Sequence, residues 1–173
     1  QFDGELHNDA EWRCDSIEVW MKAQSKEIKD ILPSDCVKAI ENGAHIILTG
    51  GEPMIQQKGL EALINFIKEN HNKQAYFEVE TNGTIMPNEF LLKNIDLWNC
   101  SPKLRNSGMD NTMTFKSEVI TKLNTKNTIF KFVVNKEKEW KEIQETYLPI
   151  VDKKKIYLMP AGENQELLEK NMI

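Results

Sequence analysis

The chain has 173 residues, of which 40% are apolar and 28% charged, with a net charge of −5 at pH 7. That length suits one domain over residues 1–173 with enough chain to bury a core, and no apolar run approaches the ~18 residues of a membrane span. The negative balance argues against a nucleic-acid groove, which needs clustered Lys and Arg; Lys153-Lys154-Lys155 is a short run that reads as a solvated edge. The polar start Gln1-Phe2-Asp3-Gly4-Glu5 is not a signal peptide, so a reducing cytoplasm is the expected location.

In chain order, Ser25 suits the N-cap of a helix running towards Leu32, and Pro33 ends it. A second short helix runs towards Gly43, which suits a C′ position. Residues 45–49 are a short apolar run of strand length. Leu60, Leu63, Ile64 and Ile67 then fall at i, i+3, i+4, i+7, one apolar stripe on a helix over about 58–69. Runs at 75–79 and 95–98 read as strands two and three. Val119, Ile120 and Leu123 make a short helical stripe before a fourth strand at 129–134. Trp140, Ile143, Tyr147 and Leu148 make another before a fifth at 156–159, and 164 to the end reads as a last helix. Alternating strands and helices predict a parallel α/β sheet.

Polar motifs come directly after four of these strands: Gly50-Gly51-Glu52-Pro53, Glu80-Thr81-Asn82-Gly83-Thr84, Asn99-Cys100-Ser101-Pro102-Lys103 and Pro160-Ala161-Gly162-Glu163. Parallel α/β folds bind ligands at the carboxyl ends of their strands, so the four motifs describe the lining of one site. Gly50 and Gly51 let backbone groups approach a ligand closely, Glu52 offers a carboxylate to an ammonium group, and Pro53 stiffens the loop exit. Thr81 and Asn82 offer paired donors and acceptors to a hydroxylated ring, with Glu80 beside them. Ser101 and Lys103 suit a carboxylate, and Thr49 is a strand-end hydroxyl that could serve a substrate or sheet-edge packing. Together these groups match a nucleoside carrying an amino-acid tail.

Other chemistry-bearing residues read as structural. Cys14, Cys36 and Cys100 lie 22 and 64 residues apart without any C-x-x-C, which is neither a disulfide framework, a zinc ribbon nor an iron–sulfur triplet. Cys100 reads as a small buried hydrophobe, and Cys14 as structural because Glu11 and His7 stand where a cluster loop would have cysteines. His45 reads as a satisfied strand-edge histidine, His71 as part of a solvated helix exit, and Trp20 and Met21 as core.

Leu48-Thr49-Gly50-Gly51-Glu52-Pro53 resembles the GGEP motif of radical S-adenosylmethionine enzymes. Glu80-Thr81-Asn82-Gly83-Thr84, Ser101-Pro102-Lys103-Leu104, Lys131-Phe132-Val133-Val134 and Tyr157-Leu158-Met159-Pro160 with Gly162 are similar, in order and spacing, to the 7-carboxy-7-deazaguanine synthases of that superfamily. The resemblance covers roughly residues 1–170 and implies a partial (β/α) barrel with motifs at the carboxyl ends of its strands. It implies S-adenosylmethionine held by Gly50, Gly51, Glu52, Pro53, Glu80, Thr81, Asn82, Ser101 and Lys103, a 4Fe–4S cluster and magnesium. The implied reaction is ring contraction of 6-carboxy-5,6,7,8-tetrahydropterin to 7-carboxy-7-deazaguanine, with a reducing partner such as flavodoxin or ferredoxin and with a homodimer as the family's common state. The family's C-x3-C-x2-C loop has no counterpart here. Gln1-Phe2-Asp3-Gly4 resembles the stretch immediately after that loop, so the cluster cysteines are expected upstream of Gln1, and the carboxyl end is expected to fall short as well. Two other readings are a radical activase with a protein substrate, which should lack the S-P-K and M-P-x-G set, and a non-catalytic module that keeps the nucleoside site.

Overall fold

A computed structural model describes residues 32–162. The helix expected from Ser25, the last helix expected from residue 164, and Cys14 lie outside the described residues. Five strands, β1 (Ile46–Leu48), β2 (Phe77–Thr81), β3 (Leu97–Cys100), β4 (Thr128–Val134) and β5 (Ile156–Pro160), form one sheet in the order β1-β2-β3-β4-β5. Every neighbouring pair is parallel. The connecting helices are α1 (Ser34–Glu41), α2 (Gln57–Asn70), α3 (Glu89–Asn94), α4 (Asn111–Thr114), α5 (Ser117–Asn124) and α6 (Glu137–Thr146). A parallel sheet in strict sequential order is the open form of a (β/α) barrel, as the sequence predicts.

The period-2 alternation of each strand splits the sheet into two unlike faces. Phe77, Val79, Trp98, Cys100, Phe130 and Phe132 are fully buried on one face. They share one core with Leu60, Ile64 and Ile67 of α2, Leu91 of α3, Ile120 and Leu123 of α5, and Ile143 of α6. The other face carries Ile47, Glu78, Glu80, Asn99, Lys131 and Tyr157, at neighbouring register positions across the five strands. This second face is the inward one, where a closing barrel holds its interior.

Helix boundaries follow local chemistry. Gly43, at φ +83°, donates its N–H to the carbonyl of Ile40 after α1, the C′ role its position suggests. The Lys58 stripe becomes α2, which buries Leu60, Ile64 and Ile67 as expected. Strands β2 and β3 each lie two residues beyond their predicted starts. Between them lies α3, a six-residue helix too short for a clear periodic stripe. Asn88 caps it by accepting the Leu91 N–H at 2.9 Å, and Ile95 closes it. Asp96 then ties the two strand starts together, its carboxylate accepting the Phe77 N–H at 2.8 Å. The shift brings Glu80, Thr81, Asn99 and Cys100 inside strands.

Candidate functional site

At the end of β1 the chain turns through Gly50 at φ +99° and Gly51 at φ +53°, backbone conformations that a Cβ would strain. The turn delivers Glu52 to the start of a 3-10 turn, Pro53–Gln56, in which Pro53 is buried. Glu52 is itself buried, with 8% of its surface exposed. Its Oε1 accepts the Met54 N–H at 3.0 Å and the Thr81 hydroxyl at 2.8 Å, and its Oε2 accepts the Asn82 N–H at 2.8 Å. One carboxylate therefore clasps the ends of β1 and β2.

The clasp continues sideways. Thr81 accepts the Ser101 N–H at 2.8 Å through its backbone carbonyl, which brings in the end of β3. Its hydroxyl also accepts the Gly83 N–H at 3.1 Å. Asn82 Oδ1 is committed to Thr84, accepting its N–H at 3.0 Å and its hydroxyl at 2.6 Å, so Nδ2 is the group Asn82 can offer elsewhere. Gly83, at φ +73°, leaves no room for a side chain: a Cβ there would lie 2.7 Å from Cys100 Sγ and 2.9 Å from Ile120 Cδ1. The predicted residues Gly50, Gly51, Glu52, Pro53, Thr81, Asn82, Ser101 and Lys103 thus gather at one edge of one sheet.

All three donors to Glu52 are neutral, so its charge is held in place without being cancelled. Its field reaches Cys100, whose thiol pKa is pushed up first by burial and then by Glu52, with Lys103 opposing. The edge therefore presents a buried anion near β1–β2 and a cation beyond β3. That polarity suits a zwitterion with its ammonium towards the first and its carboxylate towards the second.

Glu80 is placed differently from its neighbours Thr81 and Asn82. Its carboxylate turns to the inward face, where Oε2 accepts the Thr49 hydroxyl at 2.9 Å. Lys131 Nζ lies 3.9 Å from Oε1. Asn99 Nδ2 donates to Glu80 Oε1 at 3.3 Å and to Glu78 Oε1 at 2.9 Å, and His45 Nε2 lies 3.2 Å from Glu78 Oε2. Glu78 and Lys131 lie outside the four strand-end motifs, and Asn99 opens one of them with no role assigned to it. The signal for them is polar residues at alternate positions of otherwise apolar strands.

A cleft of about 240 Å³ lies off this edge, between Arg105–Asn106 and α6, lined by charges of both signs from Lys138 to Glu145. It is smaller than most small-molecule sites and shares no residue with the clasp. Among the described residues no three Cys, His, Asp or Glu side chains converge as metal ligands. Cys36 is exposed and Cys100 is buried in the helix-covered core. The described residues therefore offer no converging cysteine triplet for an iron–sulfur cluster. The clasped edge does fit S-adenosylmethionine, by its glycine backbone and its separated charges. No described helix is long and apolar enough to cross a membrane.

A sequential parallel sheet with a glycine turn and a clasped carboxylate at the carboxyl ends of its strands is compatible with a radical S-adenosylmethionine domain. The chain belongs to the 4Fe-4S single cluster domain family, whose profile matches residues 5–123. It is similar to the 7-carboxy-7-deazaguanine synthase of Pyrobaculum aerophilum, with 30% identity over 125 residues, 70% of this chain and 52% of that protein. It is likewise similar to the 7-carboxy-7-deazaguanine synthase of Rhodopirellula baltica, with 30% identity over 174 residues, 91% of this chain and 63% of that protein. The chain thus spans between about half and two thirds of the length of these relatives.

Proposed function

We propose that the intact protein is a radical S-adenosylmethionine lyase that contracts the ring of 6-carboxy-5,6,7,8-tetrahydropterin to 7-carboxy-7-deazaguanine. The observation that carries this reading is the Glu52 clasp, which joins the ends of β1 and β2 and, through Thr81, the end of β3. It lies in a chain similar to two proteins of that name.

S-adenosylmethionine, when bound, supplies the group that abstracts a substrate hydrogen. The chain's own residues bind and orient. The Gly50–Gly51 backbone meets the amino-acid tail beside the anion of Glu52, and Ser101 with Lys103 meets its carboxylate. Asn82 offers its amide to the ribose, and Thr81 shapes that wall from within the clasp. Glu80, which groups with Thr49 on the inward face, meets the pterin in this reading instead of the S-adenosylmethionine expected of it from the sequence. A carboxylate there accepts from the ring N–H and amino groups of such a substrate. Magnesium, a small electron-carrier protein such as flavodoxin or ferredoxin, and a homodimeric state belong to the same proposal.

Turnover tests it. The full-length protein, reconstituted anaerobically with iron and sulfide and reduced with dithionite, is given the pterin and S-adenosylmethionine, and the products are read by mass spectrometry. The expected product is 7-carboxy-7-deazaguanine, formed over many turnovers without net loss of S-adenosylmethionine. Loaded, reduced protein that leaves the pterin intact would overturn the reading.

A further inference from the structure

The inward face carries a polar ladder that the strand-end motifs do not explain. It runs from His45 through Glu78 and Asn99 to Glu80, which also meets Thr49 and Lys131, every contact within 3.9 Å. Asn99 is its centre. The residue is 5% exposed, and its Nδ2 serves both carboxylates while its Oδ1 is buried without a hydrogen-bond partner. The opposite amide orientation would set a carbonyl oxygen against two anions, so electrostatics fixes the orientation. A buried acceptor left unmade is a rare and unfavourable feature. So are two like charges on one face of a parallel sheet, where apolar side chains are the rule. Both costs are incurred around one group, Glu80, whose side chain is 42% exposed and open to a ligand.

We propose that Asn99 is a positioning residue that fixes the Glu80 carboxylate for the substrate and so sets specificity for a ring edge rich in N–H donors. The proposal rests on the reading that Glu80 meets the pterin. Thr49 holds Oε2, Asn99 and Lys131 hold Oε1, and Glu78 anchors the amide from behind with His45 as its outer partner. A carboxylate held at both oxygens presents its remaining lone pairs in one direction, which is what preorganised recognition requires.

The test uses the full-length reconstituted protein with Asn99→Leu and Asn99→Asp. Asn99→Leu removes the bridging amide and is expected to raise KM for the pterin about 10-fold or more, with kcat changed by less than about 3-fold and S-adenosylmethionine affinity within about 2-fold. Asn99→Asp places a third carboxylate between Glu78 and Glu80, where His45 and Lys131 are the basic side chains facing it among the described residues. Its KM ratio to the parent protein should be largest near pH 8 and should shrink towards pH 6, as the introduced carboxylate takes up a proton and becomes a donor again. Far-UV circular dichroism and S-adenosylmethionine affinity that stay constant across the same pH range separate that recovery from a change in the fold. KM values within about 2-fold of the parent for both variants, flat with pH, overturn the proposal. If the parent protein does not convert the pterin, the proposed function fails, and the structure of Asn99→Leu decides this point separately. Glu80 departing from Thr49 supports it, and Glu80 unmoved overturns it.

Discussion

The carboxylate of Glu52 accepts the hydroxyl of Thr81 at 2.8 Å, across the gap between the ends of two neighbouring strands. Because the same carboxylate also accepts the N–H groups of Met54 and Asn82, it is a structural clasp as well as the charge proposed to meet the ligand. Glu52→Gln keeps the shape but turns one acceptor into a donor that faces either the Asn82 N–H or the Met54 and Thr81 donors. The unfolding free energy is expected to drop by about 2–3 kcal/mol, the cost of a buried donor left unmatched. Chemical denaturation of variant and parent protein measures it.

Gly83 packs its Cα against the thiol of Cys100. Gly83→Ala meets a positive φ as well as the 2.7 Å contact with Sγ, and should destabilise the fold by about 1–3 kcal/mol. Adding Cys100→Ala removes the obstructing sulfur but not the backbone strain. The double variant should therefore recover part of the loss relative to the sum of the single changes, as read in a double-mutant cycle.

Burial drives the Cys100 thiol pKa upward, with Glu52 adding to it, so Cys100 stays protonated in the folded chain at mildly alkaline pH. The unfolded thiol loses its proton above about pH 8.5. A folded pKa raised above the unfolded one gives stability that is complete below that pH and is lost as pH rises past it. Between about pH 8.5 and 10 the unfolding free energy should fall with a slope contribution of up to about 1.4 kcal/mol per pH unit, absent in Cys100→Ala. Tyr147, whose pKa is also raised by burial, joins only above its unfolded value of about 10. Alkylation at mildly alkaline pH followed by peptide mapping gives a second check: exposed Cys36 is modified while Cys100 is protected until the chain unfolds.

Much of this site could be read from the sequence because its strongest signals are local. Glycines at 50 and 51 mark a turn that side chains cannot make, and apolar runs before Glu52, Glu80 and Ser101 mark the strands that aim them. The ladder on the inward face is harder to read. Glu78 and Glu80 are separated by one residue, yet they belong together only because Asn99, 19 and 21 positions away, lies beside them. The division of Glu80 from Thr81 depends on where the strand ends. Alternation along β2 places Thr81 on the helix-covered side with Glu52 and Glu80 on the inward side with Thr49; the two-residue offset keeps that parity but carries the alternation past Val79 to both residues. The short helix α3 that follows is equally hard to read, its signal a single capping asparagine.

Titration calorimetry of S-adenosylmethionine into the full-length protein tests the clasped edge most directly. The parent protein should bind it at one site. Glu52→Ala should weaken that binding roughly 10- to 150-fold, about 1.5–3 kcal/mol for a lost charge-assisted interaction. Lys141→Ala, which removes only a surface ion pair with Glu137 on α6, should leave the affinity within about 2-fold. A folded Glu52→Ala variant that binds S-adenosylmethionine as tightly as the parent protein would contradict the account.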